Sequence, residues 1–168
     1  MAHRRFEYVF ELKNFKPVAA PDALMGTLWR NPSTADKQIL AELMLDSYRG
    51  TIDYDDETLE DAVNEVGSYY ARLSDPMWLE SSWLGLIDDA LACACLVDFW
   101  KERRVPLIAY MMTASRWKGK QLATTAVLRT LQSLANKNLA EVRAVITEGN
   151  FPSEKVFTRL GFQLPIST

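Results

Sequence analysis

Apolar and polar residues alternate over residues 6–11, with Phe6, Tyr8 and Phe10 on one side and Glu7, Val9 and Glu11 on the other. A period of two predicts a half-buried strand. Pro17, Pro21 and Pro32 then punctuate an irregular stretch. Ser33 followed by Asp36 has the spacing of a capping box, and Ile39, Leu40, Leu43 and Met44 supply a helical stripe behind it. A second helix is predicted from Asp55 or Asp56, with Leu59, Ala62, Val63, Val66 and Tyr70 inward; Pro76 closes this helical half. Beyond it the pattern changes to strands: Trp83–Ile87, a turn at Asp88-Asp89, Leu91–Phe99, a turn over Lys101–Arg104, and Pro106–Thr113. A long helix from about Gln121 to Asn136 has a broad apolar face of Leu122, Val127, Leu128, Leu131 and Leu134. A short strand, Val142–Ile146, precedes a last helix, Ser153–Leu160, stopped by Gly161, and Phe162–Leu164 is read as a final strand. The order predicts a layered α/β (α+β) fold.

Composition narrows the chemistry. The 168 residues are 48% apolar and 24% charged, the make-up of one ordinary globular domain. A net charge of −3 argues against a nucleic-acid binder that works by bulk positive charge. The one histidine is His3, so a histidine triad or His-ligated zinc site is not expected, and no metal is predicted. Cys93 and Cys95, two apart on a predicted strand, share a face, which suits two small core residues better than a disulfide or an acyl relay. No apolar stretch is long enough to span a bilayer, and Arg4-Arg5 runs straight into Phe6-Glu7-Tyr8 without a secretion-signal core. These features predict a cytoplasmic protein without membrane or nucleic-acid partners.

The richest segment is Thr113-Ala114-Ser115-Arg116-Trp117-Lys118-Gly119-Lys120-Gln121-Leu122-Ala123-Thr124. A strand ends, a basic loop with a glycine follows, and a helix begins. The first turn of a helix leaves backbone N–H groups unpaired, and its dipole favours an anion there. Gly119 lets the backbone approach, while Arg116, Lys118 and Lys120 add positive charge, so the segment reads either as a pyrophosphate cradle or as a turn with solvated basic side chains. Farther on, Asn150 leads into a helix that ends in Leu160-Gly161-Phe162.

Together the two segments resemble the signature of the GNAT superfamily, the acetyl-CoA-dependent N-acetyltransferases, over roughly residues 80–163. The resemblance implies a central mixed, mostly antiparallel sheet with helices on both faces. It divides a single domain, residues 1–168, into an N-terminal strand and irregular segment (1–32), a helical acceptor-side region (33–75) and a CoA-binding core (80–163). Arg116 fits the leading Arg/Gln of the family loop and Gly119 its first glycine; Gln121 stands where Gly or Ala is usual but still supplies a backbone N–H, and the cradle survives there if its φ stays negative. The resemblance implies that Arg116, Trp117, Lys118, Gly119, Lys120, Gln121, Leu122, Ala123 and Thr124 hold the CoA pyrophosphate. Met111, Met112 and Thr113 would bind the pantetheine arm through backbone groups, with an N–H near Met112 or Thr113 polarising the thioester carbonyl. Asn150 and Phe157 would complete the coenzyme side, Asn150 serving also as a helix N-cap. Phe157 falls where many members carry a tyrosine that protonates the departing thiolate, a step phenylalanine cannot perform.

The resemblance implies acetyl transfer from acetyl-CoA to a small-molecule or peptide amine by direct attack in a ternary complex. An acyl-CoA-binding sensor with weak or no activity is the second reading. For the base, Tyr110 is the candidate on the strand, with Glu80 and Asp53 acting through water; Thr113 and Tyr110 are the catalytic residues named. The acidic run Asp53, Asp55, Asp56, Glu57, Glu60 and Asp61 reads either as a wall attracting a cationic amine or as a solvated helix start. Tyr48, Tyr54, Tyr69, Tyr70, Trp78 and Trp83 could line the acceptor cleft or pack. Six residues follow Phe162, too few for the family's seventh strand; either the segment 6–11 fills that place or a second subunit, as in a homodimer, covers the edge.

Overall fold

The computed structural model describes residues 2–18 and 26–165; Pro21 lies outside the described residues. Six strands form one sheet: β1 (Arg5–Glu11), β2 (Leu28–Arg30), β3 (Trp83–Ile87), β4 (Ala90–Trp100), β5 (Val105–Thr113) and β6 (Glu141–Thr147), in the order β1-β6-β5-β4-β3-β2. Every pairing is antiparallel except β5 with β6. The helices are α1 (Lys37–Tyr48), α2 (Leu59–Arg72), α3 (Met77–Glu80), α4 (Leu122–Asn136) and α5 (Phe151–Leu160). The mixed, mostly antiparallel sheet is covered on both faces, as the sequence predicts.

The period of two along β4 divides the core. Cys93, Cys95 and Val97 pack toward α4, where Ala126, Val127, Leu131 and Leu134 meet them, while Ala94 and Leu96 pack toward α1 and α2. Both cysteines are buried and free, and burial pushes each thiol up to about 12, so they are inert packing residues. The β3–β4 turn places Asp88 at φ 49° and Asp89 at φ 62°, the two positive values a tight two-residue hairpin needs.

Four expectations are corrected. Helix α2 begins at Leu59, not at Asp55 or Asp56, because Thr58 and Asp61 form a reciprocal capping box that fixes the first turn there. Its buried residues are Ala62, Val66 and Tyr69; Leu59 and Val63 are 41% and 40% exposed, and Tyr70 turns its hydroxyl to the Ser33 carbonyl. Phe162–Leu164 is no strand: Gln163 makes one antiparallel bridge to Val9, while Phe162 packs on Phe10 and Phe157. Pro76 closes α2's segment, but the short α3 follows it directly, and the three-residue β2 forms within the stretch read as irregular. The alternating N-terminal segment pairs with β6 along its length, from Arg5 opposite Thr147 to Glu11 opposite Glu141, so the chain itself fills that place in the sheet.

The Ser33 capping box is present and extended. Asp36, buried at the start of α1, accepts two hydrogen bonds from Arg30 (2.7 and 2.8 Å) and one from the Ser33 N–H (2.7 Å), tying β2 to α1. The Arg30 hydrogen bond holds the Asp36 carboxyl below its ordinary value, against the opposing effect of burial. A folded-state pKa below the unfolded one adds stability that is complete above the unfolded carboxylate value near ~4 and is lost as pH falls through the folded value. Asp36→Asn is therefore expected to cost about 2 kcal/mol at neutral pH. Urea unfolding from pH 3 to 7 should give the variant a flatter acid-side stability curve, and parallel curves would contradict this role.

Candidate active site

The site begins with a defect in the sheet. Between β4 and β5 the register shifts, Leu96 facing Tyr110 and Val97 facing Ile108, so Ala109 is an extra residue on β5. A bulge of this kind bends its strand and ends regular pairing. On its other side β5 pairs with β6 at only two positions, Leu107 with Arg143 and Ile108 with Ala144. Past the bulge the strands separate, while β6 stays paired with β1 as far as Thr147. Residues 109–113 thus have no strand partner toward β6. A cleft of about 910 Å³ opens there, with Tyr110 and Met111 on one wall and Val145–Thr147 on the other.

The loop after β5 is fastened by the last turn of α1. Asp46 accepts hydrogen bonds from the Ser115 N–H (2.7 Å) and hydroxyl (2.9 Å), and Ser47 Oγ accepts the Thr113 N–H (3.1 Å). Lys118 Nζ donates to the Ser47 carbonyl at 2.7 Å, so its charge is directed at the C-terminal end of α1. Arg116 lies over the Trp117 ring at 4.8 Å, and Lys120 is exposed beside Gly119. Gly119 has φ +77°, and a side chain there would meet nothing within 4 Å, so the space above it is open. The expectation for Gln121 fails: its φ is +61°, the left-handed region that glycine takes readily, so the loop turns here as a glycine would turn it and the Gln121 N–H remains among those preceding α4. No side chain caps α4, whereas Thr58 caps α2 and Asn150 caps α5. The first-turn N–H groups at Leu122, Ala123 and Thr124 are therefore left for an anion.

Asn150 is an N-cap, its Oδ1 accepting the Ser153 N–H at 3.3 Å, and its Nδ2 donates to Asp53 at 2.7 Å. Asp53 also accepts the Thr147 hydroxyl at 2.5 Å, so the loop after α1 is tied to the β6–α5 turn. Phe157 is buried at 4% exposure, packs on Phe162 and lines the cleft floor without a proton to give.

The opposite wall is polar. Asp61, Glu65, Ser68 and Arg72 recur along α2 at the spacing of one helical face and line the cleft, joined by Asp53 and Glu57. Asp55, Asp56 and Glu60 point elsewhere, so the acidic run is part wall and part solvated surface. The Tyr110 hydroxyl donates to Glu65 and accepts from Arg72 Nη2 at 3.2 Å, while Arg72 Nε donates to Asp98 at 2.5 Å. Burial, reinforced by Glu65 and opposed by Arg72, pushes the Tyr110 phenol up to about 12. Glu65 was invisible in the sequence, although the i, i+4 spacing of Asp61 and Glu65 was a usable signal. Glu80 is not at the site: it pairs with Lys137 on the surface at 2.9 Å. Of the aromatics proposed for the cleft, Tyr48 and Tyr54 line it. Tyr69 is buried with its hydroxyl on the Val97 carbonyl, Trp78 stacks on Phe99, and Trp83 holds Arg129.

A family model described as an acetyltransferase (GNAT) domain matches residues 28–163. The chain belongs to the GNAT acetyltransferase family. No curated protein matches it. Among solved structures, a GCN5-related N-acetyltransferase from Sphaerobacter thermophilus is similar at 16% identity and TM-score 0.71, covering 96% of this chain and 48% of that one. The GNAT chain thus spans about half the length of that protein. PaiA N-acetyltransferase from Thermoplasma acidophilum, in complex with coenzyme A, is similar at 16% identity and TM-score 0.63, with 86% and 94% of the two chains covered. AAC(6')-Iy, in complex with a bisubstrate analogue, CoA-S-monomethyl-acetylneamine, is similar at 12% identity and TM-score 0.59, with 86% and 95% covered. At these identities the likeness is one of fold.

The two left-handed residues of the GNAT loop give opposite predictions. Gln121→Gly removes a backbone cost of about 1–2 kcal/mol and adds glycine's unfolded-state entropy, for a net gain of about 0.5 kcal/mol. Gly119→Ala, with φ +77°, is expected to lose about 1 kcal/mol or more although the added methyl has room. Denaturant midpoints of both variants check the pair of signs.

Proposed function

We propose that the protein is an N-acetyltransferase that moves the acetyl group of acetyl-CoA to a primary amine in a ternary complex. The observation that carries this is the separation of β5 from β6 past Ile108, placed at the end of the strand that feeds the uncapped N-terminus of α4. The residues present fit the coenzyme: an open space over Gly119, unpaired first-turn N–H groups, and an unpaired strand edge beside a cleft of about 910 Å³. Gly119, Lys120, Gln121, Leu122, Ala123 and Thr124 would hold the diphosphate through backbone N–H groups, with Arg116 adding charge. Met111 and Met112 would offer backbone groups to the pantetheine arm and Thr113 its carbonyl; the Thr113 N–H, expected to polarise the thioester, is already given to Ser47 Oγ. Bound acetyl-CoA supplies an activated acyl thioester.

The chain's own task is to orient the amine and take its proton. The wall of α2 sets acidic groups across the cleft from the open strand edge, which favours a cationic acceptor. Phe157 excludes water from the cleft floor and donates no proton, so a thiolate leaving group would depart unaided, which its stability near neutral pH allows. AAC(6')-Iy, solved with the bisubstrate analogue CoA-S-monomethyl-acetylneamine, supports a small-molecule amine acceptor, and PaiA, solved with coenzyme A, supports the coenzyme. Phe157 also favours the second reading, a protein that binds acyl-CoA and turns it over poorly.

Two measurements separate these readings. Coenzyme A should raise the melting temperature, since a ligand that binds only the native state stabilises it, and Arg116→Ala should weaken that shift. Thiol release from acetyl-CoA should then depend on added amine. A shift without amine-dependent thiol release supports the sensor reading, and no shift at all rejects both.

A further inference from the structure

We infer that Tyr110 and Glu65 form a two-step proton relay that deprotonates the acceptor amine, with Arg72 and Asp98 as its positioning residues. The inference rests on the acetyltransferase reading above and concerns which groups take the acceptor's proton. No acid stands on β5 between Val105 and Thr113. The structure brings one there from α2 instead.

The geometry is specific. Tyr110 follows the bulge residue Ala109, so the register shift that opens the strand edge also sets the direction of this ring. Its ring packs edge-on against Tyr69 with centroids 5.8 Å apart, which fixes the hydroxyl in the cleft. That hydroxyl has one proton, given to Glu65, and two lone pairs. Arg72 Nη2 occupies one lone pair at 3.2 Å, and the other is left for a donor in the cleft. An ammonium N–H is such a donor. Its proton would pass to Tyr110 Oη as the tyrosine proton passes to Glu65, leaving a neutral amine, an unchanged phenol and a protonated carboxyl. Glu65 is exposed to solvent and returns the proton to water, so the relay needs no other reactant.

Arg72 serves orientation rather than proton transfer. Its Nε is held by buried Asp98 at 2.5 Å, and Asp98 is itself fixed by the Phe99 N–H at 2.7 Å. The Arg72 charge that would repel an incoming ammonium is thereby balanced at short range. The other titratable groups lining the cleft with the dyad are Tyr48 from α1, Asp53, Tyr54 and Glu57 from the following loop, Asp61 from α2 and Arg5 from β1.

The test is the pH dependence of amine acetylation in wild type, Glu65→Gln and Tyr110→Phe, with Glu60→Gln on the solvent side of α2 as the control. Both relay variants should lose about 100-fold or more in kcat/KM, the usual worth of a general base. Combining them should add little, because both belong to one path. In Glu65→Gln the acid limb should move to the amine's own pKa, with the rate rising tenfold per pH unit below it. Coenzyme A affinity by calorimetry should stay within about twofold of wild type, which separates a lost base from a damaged fold. A Glu65→Gln enzyme with wild-type rate, or a slow one with an unmoved pH profile and weakened coenzyme binding, would overturn the relay while leaving the acetyltransferase reading intact. Wild-type protein without amine-dependent thiol release would overturn both.

Discussion

The whole site depends on one strand being released from a sheet. Parallel pairing between β5 and β6 lasts for two residue pairs and then stops, because the extra residue at Ala109 bends β5 away while β6 remains held by β1. Unpaired backbone in a protein interior is costly unless another group or a ligand satisfies it. Side chains take up loose ends of the sheet: Ser47 Oγ accepts the Thr113 N–H at the end of β5, and neighbours do the same on the β3 side of β4. Past the last β3 pair, the Val97 N–H donates to Ser82 Oγ at 2.8 Å and its carbonyl accepts the Tyr69 hydroxyl at 2.7 Å. On the open side no strand does the same, and that edge faces the cleft.

The loop that follows repeats this logic at a helix end. Helices α2 and α5 carry side-chain caps at Thr58 and Asn150, whereas α4, like α1 and α3, has none, and α4 begins at a left-handed Gln121. Its shape is imposed from outside, by Asp46 and Ser47 at the end of α1, which hold Thr113, Ser115 and Lys118. The loop is thereby fastened to α1 by its own side chains. The acceptor side is joined to the coenzyme side through Asp53, which links the loop after α1 to Thr147 and Asn150.

Much of this was legible in the residues. The strands from Trp83 to Thr113 stand out because apolar runs are bounded by strong turns such as Asp88-Asp89, and the structure moves their ends by no more than about a residue, the ordinary scatter of such boundaries. The loop between β5 and α4 was legible through the order strand, glycine, helix. What was missed has physical reasons. The four acids just before Leu59 (Asp53, Asp55, Asp56 and Glu57) look like a helix start, yet the capping box at Thr58 and Asp61 decides the first turn. Leu59 and Val63 fit an apolar stripe but lie off the buried face, which is set by how α2 leans on α1. Glu65 lies on the polar side of an amphipathic helix, where a cleft wall and a solvated face have the same composition. Gln121 gave no warning of a positive φ, because that conformation follows from the reversal of the loop and not from the side chain.

The central claim is that one continuous path, the free edge of β5 and the start of α4, receives the coenzyme. Amide chemical shifts followed during a coenzyme A titration test it most directly. The account predicts saturable changes and slowed hydrogen exchange at residues 109–113 and 119–124, with β1 and β2 unaffected. Amides along that path that stay unchanged at saturating coenzyme, or changes confined to another face of the sheet, would contradict it.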